Sequence, residues 1–129
     1  AYSTHPMQSN VSALITAPNH PITRGVGKLK FKREEFYRRV FFNDTAGKIT
    51  PILKASPVVG KKDDQTIGWV FERKNGGRSF NCTGPHYHAS YEHKEFQRLL
   101  LNATLWVAQL EPPKEGVMSK LKVAENSNK

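Results

Sequence analysis

Three of the chain's five histidines, His86, His88 and His93, stand within eight positions of one another, just after Cys82, the only cysteine. Neutral imidazoles bind divalent metals, and near neutral pH they also give and take protons. A zinc site needs three or four donors. His86 and His88, with one residue between them, can converge on one ion such as zinc; whether His93, at the start of the following helix, reaches the same ion stays open. The spacing is not His-Glu-x-x-His, so general acid/base chemistry, hydrogen bonding to a ligand and a purely structural loop stay open beside the metal. A single cysteine excludes an internal disulfide and a cysteine-rich zinc site. Cys82 falls inside a strand pattern rather than on a strand-to-helix elbow, which marks it as a small buried hydrophobe and not a nucleophile.

The histidines must be positioned by the elements on either side. Residues 78–83 read as a strand returning from 66–74 across Asn75-Gly76-Gly77, because Asn-Gly supplies residues tolerant of positive φ. Along 66–74, Ile67, Trp69 and Phe71 fall at alternate positions, which predicts a strand with these three on one buried face. Beyond the histidines, Phe96, Leu99, Leu100, Ala103 and Trp106 recur at helical spacing, and Leu101, Leu105 and Ala108 add a second apolar stripe. This pattern predicts a helix over 91–109, packed on more than one side, with Ser90 as its N-cap. Upstream, 11–16 reads as a strand. The Pro- and Gly-rich stretch that follows holds at most one helical turn over 22–25, and His20 there organises the turn. Strands follow at 34–42 and 49–56, with Pro51 suited to an edge or a strand entry. Residues 57–65 read as an exposed loop, and Arg78 as a strand-start residue paired with a carboxylate.

At 129 residues the chain has the length of one domain. Its net charge is +9, with the excess concentrated in 24–39. That segment reads as a solvated basic face. Binding to a polyanion is the weaker alternative, because no nucleic-acid motif accompanies the charge, and no specific nucleic acid is expected as a partner. No run approaches 18 apolar residues, so no membrane span is expected. The compartment stays open between cytoplasm and export with a leader removed. Asn-x-Ser/Thr triplets begin at Asn10, Asn43, Asn81 and Asn102. Asn81 lies in a strand pattern and Asn102 in a helix pattern, so most of these read as chance matches.

The segments NHPITRGV, REEFYRR, ITPIL, GWVFERKNGGRSF, TGPHYH and EFQRLLLNATLWVAQLEPPKEGV occur in the order and spacing of the ThuA-like, or trehalose-utilisation, family, which the chain resembles over roughly residues 18 to 117. The resemblance implies an α/β, flavodoxin-like fold related to class I glutamine amidotransferases. This chain would cover its second half, several strands plus a long C-terminal helix. Residues 1–112 would then be the C-terminal part of a ThuA-like domain and 113–129 a polar tail. The missing N-terminal half, or a partner subunit, would cover the last helix.

The resemblance further implies a role in carbohydrate metabolism, with a disaccharide or an oxidised sugar as substrate and the reaction unassigned. Amidotransferases carry their catalytic His just after a late strand, with Glu two residues on. His86 matches the first position and His88 stands at the second, which argues against glutaminase chemistry. The family's acidic-acidic-aromatic-Tyr motif matches Glu34-Glu35-Phe36-Tyr37, which makes Glu35 the carboxylate expected to pair with a histidine. The expected catalytic residues are thus His86, His88 and Glu35, with His86 and His88 also the residues for a metal. One departure is Gly84-Pro85 where the family has Gly-Gly, so position 85 has no N–H to offer a ligand. The competing reading is a non-catalytic binding or assembly subunit with the same fold.

Overall fold

The structure, a computed structural model, describes residues 5–58 and 65–121. Most of the loop expected at 57–65 therefore lies outside the described residues, as does the end of the expected tail. Five strands form one sheet: β1 (Met7–Ile15), β2 (Leu29–Glu35), β3 (Gly47–Ser56), β4 (Thr66–Arg73) and β5 (Arg78–Cys82), in the spatial order β2-β1-β3-β4-β5. Every neighbouring pair is antiparallel. Two helices follow, α1 (His88–Tyr91) and α2 (Lys94–Val107). The described residues thus form a small unit of one antiparallel sheet and two α-helices. Among the described residues the strands show none of the parallel βαβ pairing that a flavodoxin-like sheet carries.

The hairpin at 66–83 forms as expected. Gly76 takes φ +86°, the Asn75 side chain accepts the Gly77 N–H at 3.1 Å, and Glu72 pairs with Arg78. The face reading of β4 does not hold. Ile67 and Val70 are fully buried, whereas Trp69 is half-buried against Phe42, ring centroids 5.0 Å apart. The cause is a double irregularity between β3 and β4. Ile52 is an extra residue in β3, between the pairs Pro51–Trp69 and Leu53–Gly68, and Ile67 an extra one in β4, between Leu53–Gly68 and Lys54–Thr66. Such a shift moves later side chains to the other face. Pro51 sits at this irregularity in an interior strand, not at an edge. It is tolerated because β1 pairs β3 only over Leu53 to Ser56.

Two further boundaries differ. The strand expected at 34–42 is instead β2, ending at Glu35, because Phe36 turns into the core and Arg38 is drawn inside. The Arg38 guanidinium donates to the Pro57 carbonyl at 3.0 Å and to the side-chain oxygens of Gln8 and Gln65. The helix expected over 91–109 breaks at Glu92. His93 is the N-cap of α2, and Ser90 lies inside α1. Gln109, at φ +63°, ends α2, and the Leu110 N–H donates to the Leu105 carbonyl at 2.9 Å.

The core joins Val11, Leu29, Phe31, Ile52, Leu53, Ile67 and Val70 of the sheet to Phe96, Leu99, Ala103 and Trp106 of α2. The second stripe of α2 is not covered among the described residues, since Leu101 and Ala108 are exposed. Asn102, fully buried, fastens three chain segments. Its amide donates to the carbonyls of Ile22 (3.1 Å) and Arg24 (2.9 Å), and its oxygen accepts the Val117 N–H at 2.8 Å. The Arg24 side chain adds a bond to the Pro112 carbonyl at 2.6 Å and an ion pair with Glu111. The expected polar tail therefore begins inside a docked stretch, with Gly116 buried against the turn at Gly25. Arg78 opens β5 as expected. The partners of its guanidinium are the Trp106 carbonyl, 3.2 Å away, and the Trp106 ring rather than a carboxylate. No helix among the described residues is long and apolar enough to cross a membrane.

Candidate functional site

Antiparallel pairing through the sheet makes β2, β3 and β5 run in one direction, so β2 and β5 release their carboxyl ends at the same end of the sheet. They are its two outermost strands, yet the segment after β5 reaches the segment after β2. The Thr83 hydroxyl donates to the Tyr37 carbonyl at 2.8 Å. Gly84 lies against the buried Phe36 ring, where any β-carbon would overlap Phe36 atoms, so this crossing requires glycine. Phe36 in turn meets Phe31 edge-on at 5.8 Å, which roots the crossing in the core.

Glu34 bolts the two segments together. It is fully buried, and its carboxylate accepts the His86 N–H at 2.7 Å, the Glu35 N–H at 2.8 Å and the Ser90 hydroxyl. Bonds to an ionised acceptor are about twice as strong as neutral ones. Three donors around one buried carboxylate hold the backbone of 34–35 beside that of 86–90. In β2 the buried positions pass from Leu29 and Phe31 to Glu34, a phase that Phe36 keeps just past the strand, so Glu34 turns inward and Glu35 is left partly exposed.

Glu35 is one-fifth exposed and lies between two imidazoles. Its Oε1 is 2.6 Å from His5 Nδ1, and its Oε2 is 4.0 Å from His86 Nδ1. The His86 side chain is 56% exposed, with its ring edge-on to Tyr87 at 4.8 Å. His5 packs on Tyr37 at 4.7 Å. The Arg33 guanidinium lies 4.9 Å from the centre of the Tyr87 ring, and the Tyr87 hydroxyl reaches the Met7 sulfur at 3.1 Å. The result is an exposed imidazole–carboxylate pair on a rigid buried base. Such a pair can hold a proton, pass it on, or bond a polyol.

Of the expected residues, the structure brings together His86 and Glu35. His88 is exposed at the start of α1, and among the described residues its ring has no hydrogen-bond or ion-pair partner. His93 packs on Phe31 at 5.4 Å. Among the described residues no group of three or more His, Cys, Asp or Glu side chains stands where it could hold a metal ion. Cys82 packs against the core, and burial pushes its thiol up to about 11. Two residues were missed. Glu34 looked interchangeable with Glu35, although its place two residues before the core aromatic Phe36, on the same side of an extended chain, was a signal. His5 carried no signal, being close to Glu35 only in space.

His20 is structural. Its Nδ1 accepts the Ile22 N–H at 3.3 Å as the cap of the short helical turn Pro21–Thr23, and its ring meets Trp106 edge-on at 5.0 Å. Burial lowers its pKa below the ordinary 6.5. Asn102 is fully buried, and Asn81 is half-buried within β5, so neither triplet offers an open acceptor.

A family model described as ThuA, trehalose utilisation, matches residues 1–107. Comparison with curated proteins finds no match, and comparison with solved structures finds none.

Proposed function

Because the chain belongs to the ThuA family of trehalose utilisation, we propose that it acts on a disaccharide or an oxidised sugar, with His86 as general base and Glu35 as the residue that orients it. The observation that carries this reading is the ladder from buried to exposed: Glu34 fixes the His86 backbone, Glu35 stands 4.0 Å from its Nδ1, and the ring itself faces solvent. A carboxylate on the Nδ1 side favours the tautomer with its hydrogen there and leaves Nε2 as the base. On an oxidised sugar, Nε2 takes the proton from the carbon next to the carbonyl. The electron pair of that C–H bond passes into the enolate, and the imidazolium returns a proton in the reverse step. General-base catalysis of this kind contributes ~10²–10⁴ in rate.

Deuterium exchange tests it. Incubated in D₂O with trehalose and with a keto-derivative of trehalose, the protein should introduce deuterium beside the carbonyl of the latter. His86→Ala should abolish exchange, and Glu35→Gln should slow it. Exchange that persists undiminished in His86→Ala overturns the assignment. A non-catalytic sugar-binding subunit is the second reading, favoured by the openness of the His86 pair. It predicts binding of the same sugars without exchange.

A further inference from the structure

Beside the His86 pair lies a cavity of about 720 Å³, floored by Phe31 and bordered by Lys30, Lys32, Arg33, Tyr87 and Glu92. Three cations and a single carboxylate face this space. Lys30, Lys32 and Arg33 are exposed, and the Arg33 guanidinium lies against the Tyr87 ring, 4.9 Å from its centre. A concave wall lined by one sign of charge concentrates ligands of the opposite sign. A ring face beside a planar guanidinium suits a ligand with both an apolar face and an anionic group.

The cavity and the candidate catalytic pair share a wall. The Tyr87 ring meets the His86 ring edge-on at 4.8 Å and also has the Arg33 guanidinium over it. Ser90 lines the cavity and donates its hydroxyl to Glu34, the carboxylate that holds the His86 backbone. A ligand anchored by its anionic end at Lys30, Lys32 and Arg33 would extend past Tyr87 toward His86.

We infer that this cavity is an anion-selecting subsite and that the ligand of the protein is a sugar carrying a carboxylate or phosphate group. This rests on the reading of the chain as a carbohydrate-acting protein and adds the substrate's charge to it. Neither lysine is buried, so both can be replaced without opening the core. The Nε and Nη2 edge of Arg33 is turned to the sulfur of the exposed Met7, a weak acceptor that a carboxylate or phosphate would displace to make the planar, bidentate contact it favours.

The test is calorimetric titration with gluconate, glucose 6-phosphate, glucose and inorganic phosphate. It is run on the wild type, on the double variant Lys30→Gln/Lys32→Gln, on Arg33→Gln and on His86→Ala. An anionic sugar should bind at least tenfold more tightly than glucose and than inorganic phosphate. Whichever of the two anionic sugars binds better identifies the group. The lysine double variant and Arg33→Gln should each lose tenfold or more for that sugar, and raising the salt should weaken wild-type binding. His86→Ala should keep the preference for the anionic sugar over glucose, whatever affinity the lost ring contributes to both. Equal affinity for glucose and the anionic sugars, preference for inorganic phosphate, or an unchanged affinity in the lysine double variant would each overturn the subsite. These results leave the His86 reading intact, because that reading stands or falls on deuterium exchange. Conversely, loss of the His86 reading leaves a charge-selective binding cavity.

Discussion

Two histidine-bearing, proline-containing turns, Asn19-His20-Pro21 and Gly84-Pro85-His86, look alike in sequence and have opposite fates in the structure. In the first, the imidazole is spent on the chain itself: His20 caps a backbone N–H and packs on Trp106. The neighbouring Thr23 hydroxyl is turned to the carbonyls of Ala17 and His20, and Asn102 ties the far side of the turn to α2. In the second, the backbone is what the fold holds, through Glu34, while the His86 ring stays more than half exposed beside Glu35. A histidine whose ring is satisfied by its own chain has little left for a ligand. One whose backbone is fastened and whose ring is free is positioned for chemistry.

The sharpest way to break this contrast is at its structural end. Asn102→Ala leaves two carbonyls and one N–H in the interior without partners and should lower stability by about 3 kcal/mol in chemical denaturation. A loss below ~1 kcal/mol would mean that the turn at 20–25 does not depend on this clamp. Glu34→Gln comes next. The amide oxygen can keep the two N–H bonds from His86 and Glu35 that one carboxylate oxygen accepts. The charge is lost, however, and an NH2 group replaces the oxygen that accepts from Ser90. A cost of about 2 kcal/mol is expected, together with loss of whatever exchange activity His86 supports.

His86→Ala removes a ring that supports little of the core. Stability should change by less than about 0.5 kcal/mol while activity disappears, and a large drop in melting temperature would reclassify His86 with His20.

The pH dependence sharpens the other end. Unfolded His20 titrates near 6.5, and burial places the folded group lower. Between those two values the unfolded chain holds more protons, so stability is complete above about 6.5 and declines as pH falls toward the folded value. His20→Asn keeps a capping oxygen and should flatten that decline. The same decline in His20→Asn would assign it to another group. The smallest effect concerns Cys82. With its thiol near 11, about one molecule in ten thousand carries the thiolate at pH 7, so alkylating reagents should label the native protein far more slowly than the unfolded one.

Much of this was legible from local pattern. The hairpin turn needs Asn75 and Gly76 whatever surrounds it, and the periodic Phe96, Leu99, Ala103 and Trp106 mark α2 with its inner face. Local pattern failed where a long-range partner decides. Ser90 has the chemistry of a helix cap, and the buried Glu34 carboxylate takes its hydroxyl instead. Arg38 reads as a surface cation, and oxygens from three separate segments draw it inside. The β4 face was misread because Ile67 is an extra residue where the β3–β4 register shifts, a fact that depends on the partner strand. In the candidate site, His86 and Glu35 were found, whereas His5, 30 positions from its carboxylate, is beyond any periodicity.

The bonds of Glu34 to His86 and Ser90 span 52 and 56 positions of sequence. Closing a loop of that length brings no reward until the intervening strands have found their neighbours. The His86 pair is therefore assembled late in folding, and its geometry exists only in chains that have completed the sheet. A peptide carrying residues 78–93 would contain His86, His88 and His93 and lack the arrangement altogether. Any activity of this site is accordingly a reporter of the finished fold.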